Sequence, residues 1–107
     1  MANFSEEMIE RIWEKAQILP GYDPRIWRKD FAGAWIRKDL YGVIHNYGWE
    51  IDHRRPKVMG GTDSYDNLFP VHVKNNRAKG DDYPHFKTII TSDGNKNIEK
   101  EQSWVVK

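Results

Sequence analysis

The stretch WEIDHRRPKVMGGTDSYDNLFPVHVKNNRAKGD, Trp49–Asp81, concentrates polar residues of a kind that a packed core does not require. An Asp-His pair is followed by a double glycine, then by Asn-Leu, and finally by Asn-x-x-Lys-Gly. The chain contains only four histidines, and one of them lies in this Asp-His pair. A site that handles a phosphate group and a metal ion uses side chains of these types.

The first residues of this stretch alternate in character and predict a half-buried β-strand, Trp49–His53. One face of the strand carries Trp49, Ile51 and His53, and the other carries Glu50 and Asp52. Pro56 ends the regular part of the strand, because proline cannot donate to a sheet.

The rest of the stretch predicts a turn, a short strand and a short helix, at Gly60–Asp63, Leu68–Phe69 and Val71–Lys79. Pro70 suits the first turn of that helix, and Gly80 suits the position just past its end. Spacing of three and four residues would then place His72, Asn76 and Lys79 on one helical face.

The flanking segments predict a helix before this core and a β-hairpin after it. Ser5 suits an N-cap, and the apolar spacing that follows predicts a helix over about 5–17, ended by Pro20-Gly21. A short strand is expected near Ala34–Ile36, and Trp27 and Trp35 are expected to be core residues. The C-terminal hairpin is expected over about 86–106, with its turn at 92–95.

Composition and length predict one globular domain, 1–107. Of the 107 residues, 38% are hydrophobic and 31% charged, which is an ordinary balance for a folded protein. No apolar run is long enough to span a membrane, and the N-terminus lacks the apolar region of a secretory signal. A soluble cytoplasmic protein is therefore expected.

The absence of cysteine excludes disulfides and thiolate zinc sites, so no structural zinc is expected. The net charge of +1 is small, but basic residues collect in the centre of the chain. They are Arg54, Arg55, Lys57, Lys74, Arg77 and Lys79. This distribution fits either a polyanionic partner or a mixed solvated surface, and charge alone does not separate the two.

The order of these motifs resembles the HNH endonucleases. The matching residues are Asp52-His53, Pro56, Gly60-Gly61, Asn67-Leu68 and Asn76-x-x-Lys79-Gly80, at the spacing of the HNN subtype. The resemblance implies an α+β fold with a ββα-metal (His-Me finger) core, here between an N-terminal helix and a C-terminal hairpin. Many members carry Cys-x-x-Cys zinc pairs, whereas this chain has Phe31-Ala32-Gly33 where such a pair is expected.

The resemblance also implies roles for individual residues. His53 would be the general base, and Asn67 would fix the loop and orient the histidine ring through a backbone carbonyl. Asp52 and Asn76 would bind a divalent metal, Mg²⁺ or Mn²⁺, because their ligand atoms are oxygens. Asn75 competes with Asn76 for the ligand position, and the register Asn-Arg-Ala-Lys-Gly favours Asn76.

Two further residues and the basic group complete the expected site. His72 could reach a metal but is expected to be a packing residue, and Glu50 either tunes the site or faces solvent. The six basic residues above are candidate phosphate contacts.

The expected function is hydrolysis of DNA phosphodiester bonds by a metal-dependent endonuclease, with double-stranded DNA as the partner. Two alternatives stay open. One is a nucleic-acid-binding module that has lost cleavage. The other is a nuclease toxin or effector, whose basic face an immunity protein would cover. The intact Asp52, His53 and Asn76 argue against the first alternative.

Overall fold

The computed structural model describes residues 3–107, and their fold is of the α+β class. The helices and strands are α1 Glu6–Trp13, β1 Trp27–Lys29, β2 Trp35–Arg37, β3 Trp49–His53, β4 Leu68–His72, α2 Val73–Lys79, β5 His85–Asp93 and β6 Lys96–Val105. The strands form three antiparallel pairs, β1–β2, β3–β4 and β5–β6. Within residues 3–107 no helix is long and apolar enough to cross a membrane.

Helix α1 begins where the sequence predicts and ends earlier. The Ser5 side chain caps it by accepting a hydrogen bond from the Met8 amide, at 3.1 Å. The helix ends at Trp13 because the backbone of Gln17 is already committed elsewhere. Gln17 exchanges two backbone hydrogen bonds with Lys29, of 2.8 and 3.1 Å. The prediction of helix as far as residue 17 was therefore too long.

Strand β4 extends through Pro70, which was wrongly predicted to start a helix. Pro70 lies opposite Ile51 in the β3–β4 register. The Arg54 amide donates to the Asn67 carbonyl, and hydrogen-bonded pairs alternate with non-bonded pairs along an antiparallel ladder. This alternation makes Ile51–Pro70 a non-bonded pair, so the missing N–H of Pro70 costs the sheet nothing. Helix α2 consequently begins at Val73, with His72 as its N-cap.

Strand β3 is covered on both faces. Trp49 and Ile51 belong to the hydrophobic cluster that includes Ile12 and Trp13 of α1, and the rings of Trp13 and Trp49 are 5.2 Å apart. On the other face, Asn76 donates a hydrogen bond to Glu50, and Lys79 donates one to Asp52. The predicted division of the strand into two faces is therefore present, but the polar face lies under α2.

The C-terminal hairpin packs against α2 through its first strand. The first strand runs on to Asp93, so the turn is shorter than the predicted 92–95, and it contains Gly94 at a φ of 60°. The side chain of Asn75 accepts hydrogen bonds from the amides of Ile89 and Ile90, at 2.9 and 2.8 Å. Of the two tryptophans expected in the core, Trp35 is buried and Trp27 is half-buried.

A buried carboxylate, Asp30, lies beside the segment where a zinc-binding cysteine pair was sought. One of its oxygens accepts hydrogen bonds from the amides of Ala32 and Ala34, at 3.0 and 2.9 Å. The other accepts from the His72 amide and the Asn75 side chain, at 3.0 and 3.1 Å. Burial raises the pKa of Asp30, and these hydrogen bonds oppose the rise. Asp30 thus connects the loop between β1 and β2 to the start of α2.

Candidate active site

Two adjoining cavities lie where the end of β3 meets α2. Their volumes are about 340 and 290 Å³, and both are lined by Ile51, His53 and Asn76. The first also contains Asp52 and Lys57, among others, and the second contains Glu50 and residues from the N-terminal segment. We call the two cavities together the His53 cleft. It brings together three of the predicted site residues, Asp52, His53 and Asn76.

His53 lies at the end of β3 with its ring held by a carboxylate. Its Nε2 is 2.7 Å from Oδ1 of Asp63, and the other oxygen of Asp63 accepts from Lys57 at 3.2 Å. The hydrogen bonds from His53 and Lys57 hold the pKa of Asp63 below its usual range. Asp63 was predicted only as part of a turn, and its contact with His53 was not foreseen.

Asp52 is buried beneath α2 with one oxygen paired and the other free. Its Oδ1 accepts from Nζ of Lys79 at 3.3 Å, whereas its Oδ2 is buried and has no partner among residues 3–107. Burial raises the pKa of Asp52, and the charge of Lys79 opposes this effect. A buried carboxylate oxygen without a donor is costly, so Oδ2 is suited to a cation.

Asn76 faces the His53 cleft and is oriented by Glu50. The side-chain nitrogen of Asn76 is 3.2 Å from Oε1 of Glu50, and Arg77 contacts Oε2 of the same carboxylate at 3.4 Å. A carboxylate paired with arginine can only accept, so the amide group of Asn76 must present its nitrogen to Glu50. The side-chain oxygen Oδ1 of Asn76 thus points away from Glu50, has no hydrogen-bond partner among residues 3–107 and can bind a metal. Glu50 was expected either to tune the site or to face solvent; it is half-buried and accepts a hydrogen bond from Asn76.

Asn75 faces away from the cleft and is fully buried. Its side chain donates to Asp30 and to the Ile90 carbonyl, and its oxygen accepts from two amides of β5. All of its hydrogen-bonding groups are used within the fold. Of the two adjacent asparagines, the one at the cleft is thus Asn76.

Asn67 fastens the loop that follows β3. Its side-chain oxygen accepts from the Arg55 amide at 2.8 Å, and its nitrogen donates to the carbonyls of Arg55 and Thr62. Its own carbonyl accepts from the Arg54 amide. The loop-fixing role expected for Asn67 matches these contacts. The carbonyl expected to orient the His53 ring instead pairs with Arg54, and the ring contacts Asp63.

His72 is a buried capping residue. Its Nδ1 accepts from the Lys74 amide at 3.1 Å, and its Nε2 is 2.8 Å from the Asn46 carbonyl. Burial lowers the pKa of His72, since the charged ring would lose its hydration. Both ring nitrogens are used, which leaves none for a metal and agrees with its predicted packing role.

The six basic candidates for phosphate contact divide into three groups. Lys79 is only 1% exposed and pairs with Asp52, so its prediction as a surface phosphate contact is corrected. Arg54 is half-buried, with its guanidinium 3.8 Å from the centre of the Phe69 ring. The exposed members are Arg55, Lys57, Lys74 and Arg77.

A groove of about 520 Å³, larger than either single cavity of the His53 cleft, lies on the other side of the loop after β3. Arg54, Arg55 and Tyr83 contribute to its walls, but none of Asp52, His53 and Asn76 does. The His53 cleft is the stronger candidate, because Asp52, His53 and Asn76 line the same cavity there.

Oxygen atoms of Asp52 and Asn76 are the candidate metal ligands in the cleft. No group of three or more His, Cys, Asp or Glu side chains that could hold a metal occurs in residues 3–107. The unpartnered Oδ2 of Asp52 nevertheless fits a hard cation, and the carbonyl of Asn76 adds a second oxygen. These residues suit an ion that keeps several waters or takes phosphate oxygens as further ligands.

Comparison with protein families gives one match, which covers the cleft. Residues 40–85 match the model of the HNH endonuclease family. We call these residues the HNH segment, because they are similar to the HNH endonuclease family. Comparisons with curated proteins and with solved structures gave no significant match. The HNH segment includes β3, β4 and α2, and the match indicates nuclease activity in general.

Three residues of the HNH segment have contacts that sequence reasoning missed. Asp63, Glu50 and Lys79 each pair with a residue singled out in the sequence, namely His53, Asn76 and Asp52. For Glu50 and Lys79 a signal existed, since both were placed on faces shared with metal-ligand candidates. For Asp63 none existed, because it is ten positions from His53 and the path of the loop between them decides whether its carboxylate reaches the ring.

Proposed function

We propose that the protein is a metal-dependent endonuclease that hydrolyses DNA phosphodiester bonds in the His53 cleft. One observation carries the proposal. Within the HNH segment, a histidine with a free ring nitrogen shares a cleft with an unpartnered carboxylate oxygen and an oriented amide oxygen. Phosphodiester hydrolysis needs a base for the attacking water and a cation near the phosphate, and these residues suit both needs.

Asp52 and Asn76 would hold the divalent ion, which supplies positive charge for the scissile phosphate. Mg²⁺ or Mn²⁺ fits these residues better than Zn²⁺, because both ligand atoms are oxygens and the chain has no cysteine. The buried Lys79 holds the other oxygen of Asp52, which keeps the carboxylate fixed in place.

His53 would take the proton of the attacking water on a ring nitrogen. Imidazole suits this step because its ordinary pKa lies close to neutrality. The ring is half-buried and held from one side, so its position is defined before substrate arrives. Asn67 supports this arrangement, because its hydrogen bonds to Arg55 and Thr62 close the loop that carries Asp63.

Double-stranded DNA is the proposed partner. Lys57 lines the cleft itself, and Arg77 lies on α2 next to the proposed ligand Asn76. Together with Arg55 and Lys74, these exposed cations would contact phosphates. Such contacts position the duplex without reading its sequence, and their contribution falls as salt concentration rises.

A plasmid-nicking assay with Mg²⁺, Mn²⁺, Zn²⁺ or EDTA tests the proposal. We expect cleavage with Mg²⁺ and Mn²⁺, little with Zn²⁺ and none with EDTA. The variant His53→Ala should lose roughly a hundred- to ten-thousand-fold in rate, the range that a general base supplies, while it still binds DNA.

The outcomes separate the proposal from its alternatives. Cleavage that persists in EDTA would overturn the role of the metal, and near-normal turnover by His53→Ala would remove the histidine from the reaction. DNA binding without cleavage under any of these conditions would favour a binding module.

A further inference from the structure

The contact between His53 and Asp63 defines which ring nitrogen carries a proton. The Nε2–Oδ1 distance of 2.7 Å is that of a strong hydrogen bond. Asp63 also accepts from Lys57, and both contacts hold its pKa below the usual range, so its carboxylate is ionised near neutrality. An ionised carboxylate can only accept, and Nε2 of His53 must therefore be the protonated nitrogen.

In the neutral ring, the other nitrogen, Nδ1, then carries the lone pair. Nδ1 has no hydrogen-bond partner among residues 3–107, and it is not one of the buried unpartnered atoms of that part of the chain. It is accordingly accessible to water. The ring itself lines both cavities of the cleft, so a water in the cleft can reach it.

The position of Asp63 is fixed by the loop, not by its own packing. Asn67 donates to the carbonyl of Thr62, the residue directly before Asp63, at 2.9 Å. The loop also passes so close to its own start that a Cβ on Gly61 would lie 1.7 Å from the Arg55 carbonyl oxygen. The path of this loop thus permits only glycine at 61 and brings the Asp63 carboxylate to the ring.

We propose that Asp63 is a positioning residue that holds His53 in the Nε2–H form and leaves Nδ1 to accept the proton of the attacking water. This inference rests on the proposed nuclease function. It also explains how Asn67 acts on the reaction without contacting His53. Asn67 anchors Thr62, Thr62 places Asp63, and Asp63 orients the ring. The proton moves from water to Nδ1, and the resulting imidazolium is stabilised by the Asp63 carboxylate.

The first test reads the tautomer of His53 directly, without any substrate. In the wild-type protein, ¹⁵N NMR of the imidazole, followed over a pH series and read where the ring is neutral, should show His53 in the Nε2–H form, assigned by its loss in His53→Ala. In Asp63→Ala the two forms should mix. In Asp63→Asn the amide can turn its NH₂ group toward Nε2, so the Nδ1–H form should become populated.

The second test measures cleavage by the same variants. Asp63→Ala should lower kcat by roughly ten- to a hundredfold, with a smaller effect on KM, which is the range for losing an outer hydrogen-bond partner that orients a histidine at a metal site. Asp63→Asn should be no better than Asp63→Ala, although it preserves size and polarity. In a His53→Ala background, Asp63→Ala should cause no further loss.

Asp66→Ala provides the matched control, since Asp66 is an exposed carboxylate of the same loop with no contact to the ring. It should leave both the tautomer and kcat unchanged. Full activity of Asp63→Asn, or an unaltered His53 tautomer in Asp63→Ala, would overturn the inference while the nuclease proposal stands. Absence of cleavage by the wild-type protein would overturn both, and the NMR result would then describe a hydrogen bond without a catalytic role.

Discussion

At the scale of single residues, adjacent asparagines on one short helix have opposite tasks. The side-chain nitrogen of Asn76 donates to Glu50, and its side-chain oxygen is left for the cleft. The side-chain groups of Asn75, in contrast, all form hydrogen bonds with Asp30 and β5. Successive residues of a helix point in directions about 100° apart, so one of them faces the cleft while its neighbour faces the hairpin.

This division predicts separable effects for the two asparagines. Asn76→Ala should raise the Mg²⁺ concentration needed for half-maximal nicking and leave the melting temperature nearly unchanged, because it removes a proposed ligand at the edge of a cleft. Asn75→Ala should lower the melting temperature, because each buried group that loses its hydrogen bond to Asn75 lowers the free energy of unfolding by on the order of 1–3 kcal/mol. Mg²⁺ titrations of nicking, paired with thermal melts of both variants, measure the two effects. If only Asn75→Ala raised the Mg²⁺ requirement, the metal ligand would be Asn75 and the assignment to Asn76 would be wrong.

At the scale of secondary structure, the sequence predicted the strand β3 and its two faces but not the extent of its partner. Pro70 fits the first turn of a helix and also a non-bonded position of a sheet, and only the register of β3–β4 distinguishes them. Lys79 was placed correctly on the face of Asn76. Its burial was not predictable, because it depends on how closely α2 lies over Asp52.

Helix α2 begins with a histidine cap, which makes its stability sensitive to acid. The Nδ1 of His72 must be unprotonated to accept from the Lys74 amide, and burial lowers the pKa of His72 below its ordinary value of 6.5. A lowered pKa in the folded state means that the cap contributes fully above about pH 6.5, and that this stability is lost as the pH falls through the folded value.

We therefore expect His72→Gln to flatten the pH dependence of stability. Between about pH 7.5 and pH 5 the melting temperature of the wild-type protein should fall, and that of His72→Gln should fall less. The exposed His85 offers a control, since His85→Gln should keep the wild-type slope. Identical slopes for wild type and His72→Gln, measured by thermal melts across this range, would show that another group causes the acid sensitivity.

At the scale of the whole molecule, Asp30 joins parts of the chain that are far apart in sequence. It accepts hydrogen bonds from the segment before β2, from the end of β4 and from α2, all within the protein interior. Hydrogen bonds to this one carboxylate hold the region where the resemblance implied a cysteine pair. Helix α2 thereby depends on a residue that no sequence pattern singled out.

Asp30→Ala should consequently destabilise the protein more than removal of any surface carboxylate. The substitution leaves four buried donors without an acceptor, and each unpaired donor costs about 1–3 kcal/mol, although relaxation and water entry would recover part of the loss. A total of several kcal/mol is a large share of the roughly 5–15 kcal/mol that stabilises a typical domain.

Urea unfolding, followed by tryptophan fluorescence, should give a much lower midpoint for Asp30→Ala and an intermediate one for Asp30→Asn, which keeps a single acceptor oxygen. The exposed Asp39 is the control, and Asp39→Ala should shift stability by no more than about 0.5 kcal/mol. A midpoint for Asp30→Ala equal to that of Asp39→Ala would mean that packing alone holds α2 in place, without help from this carboxylate.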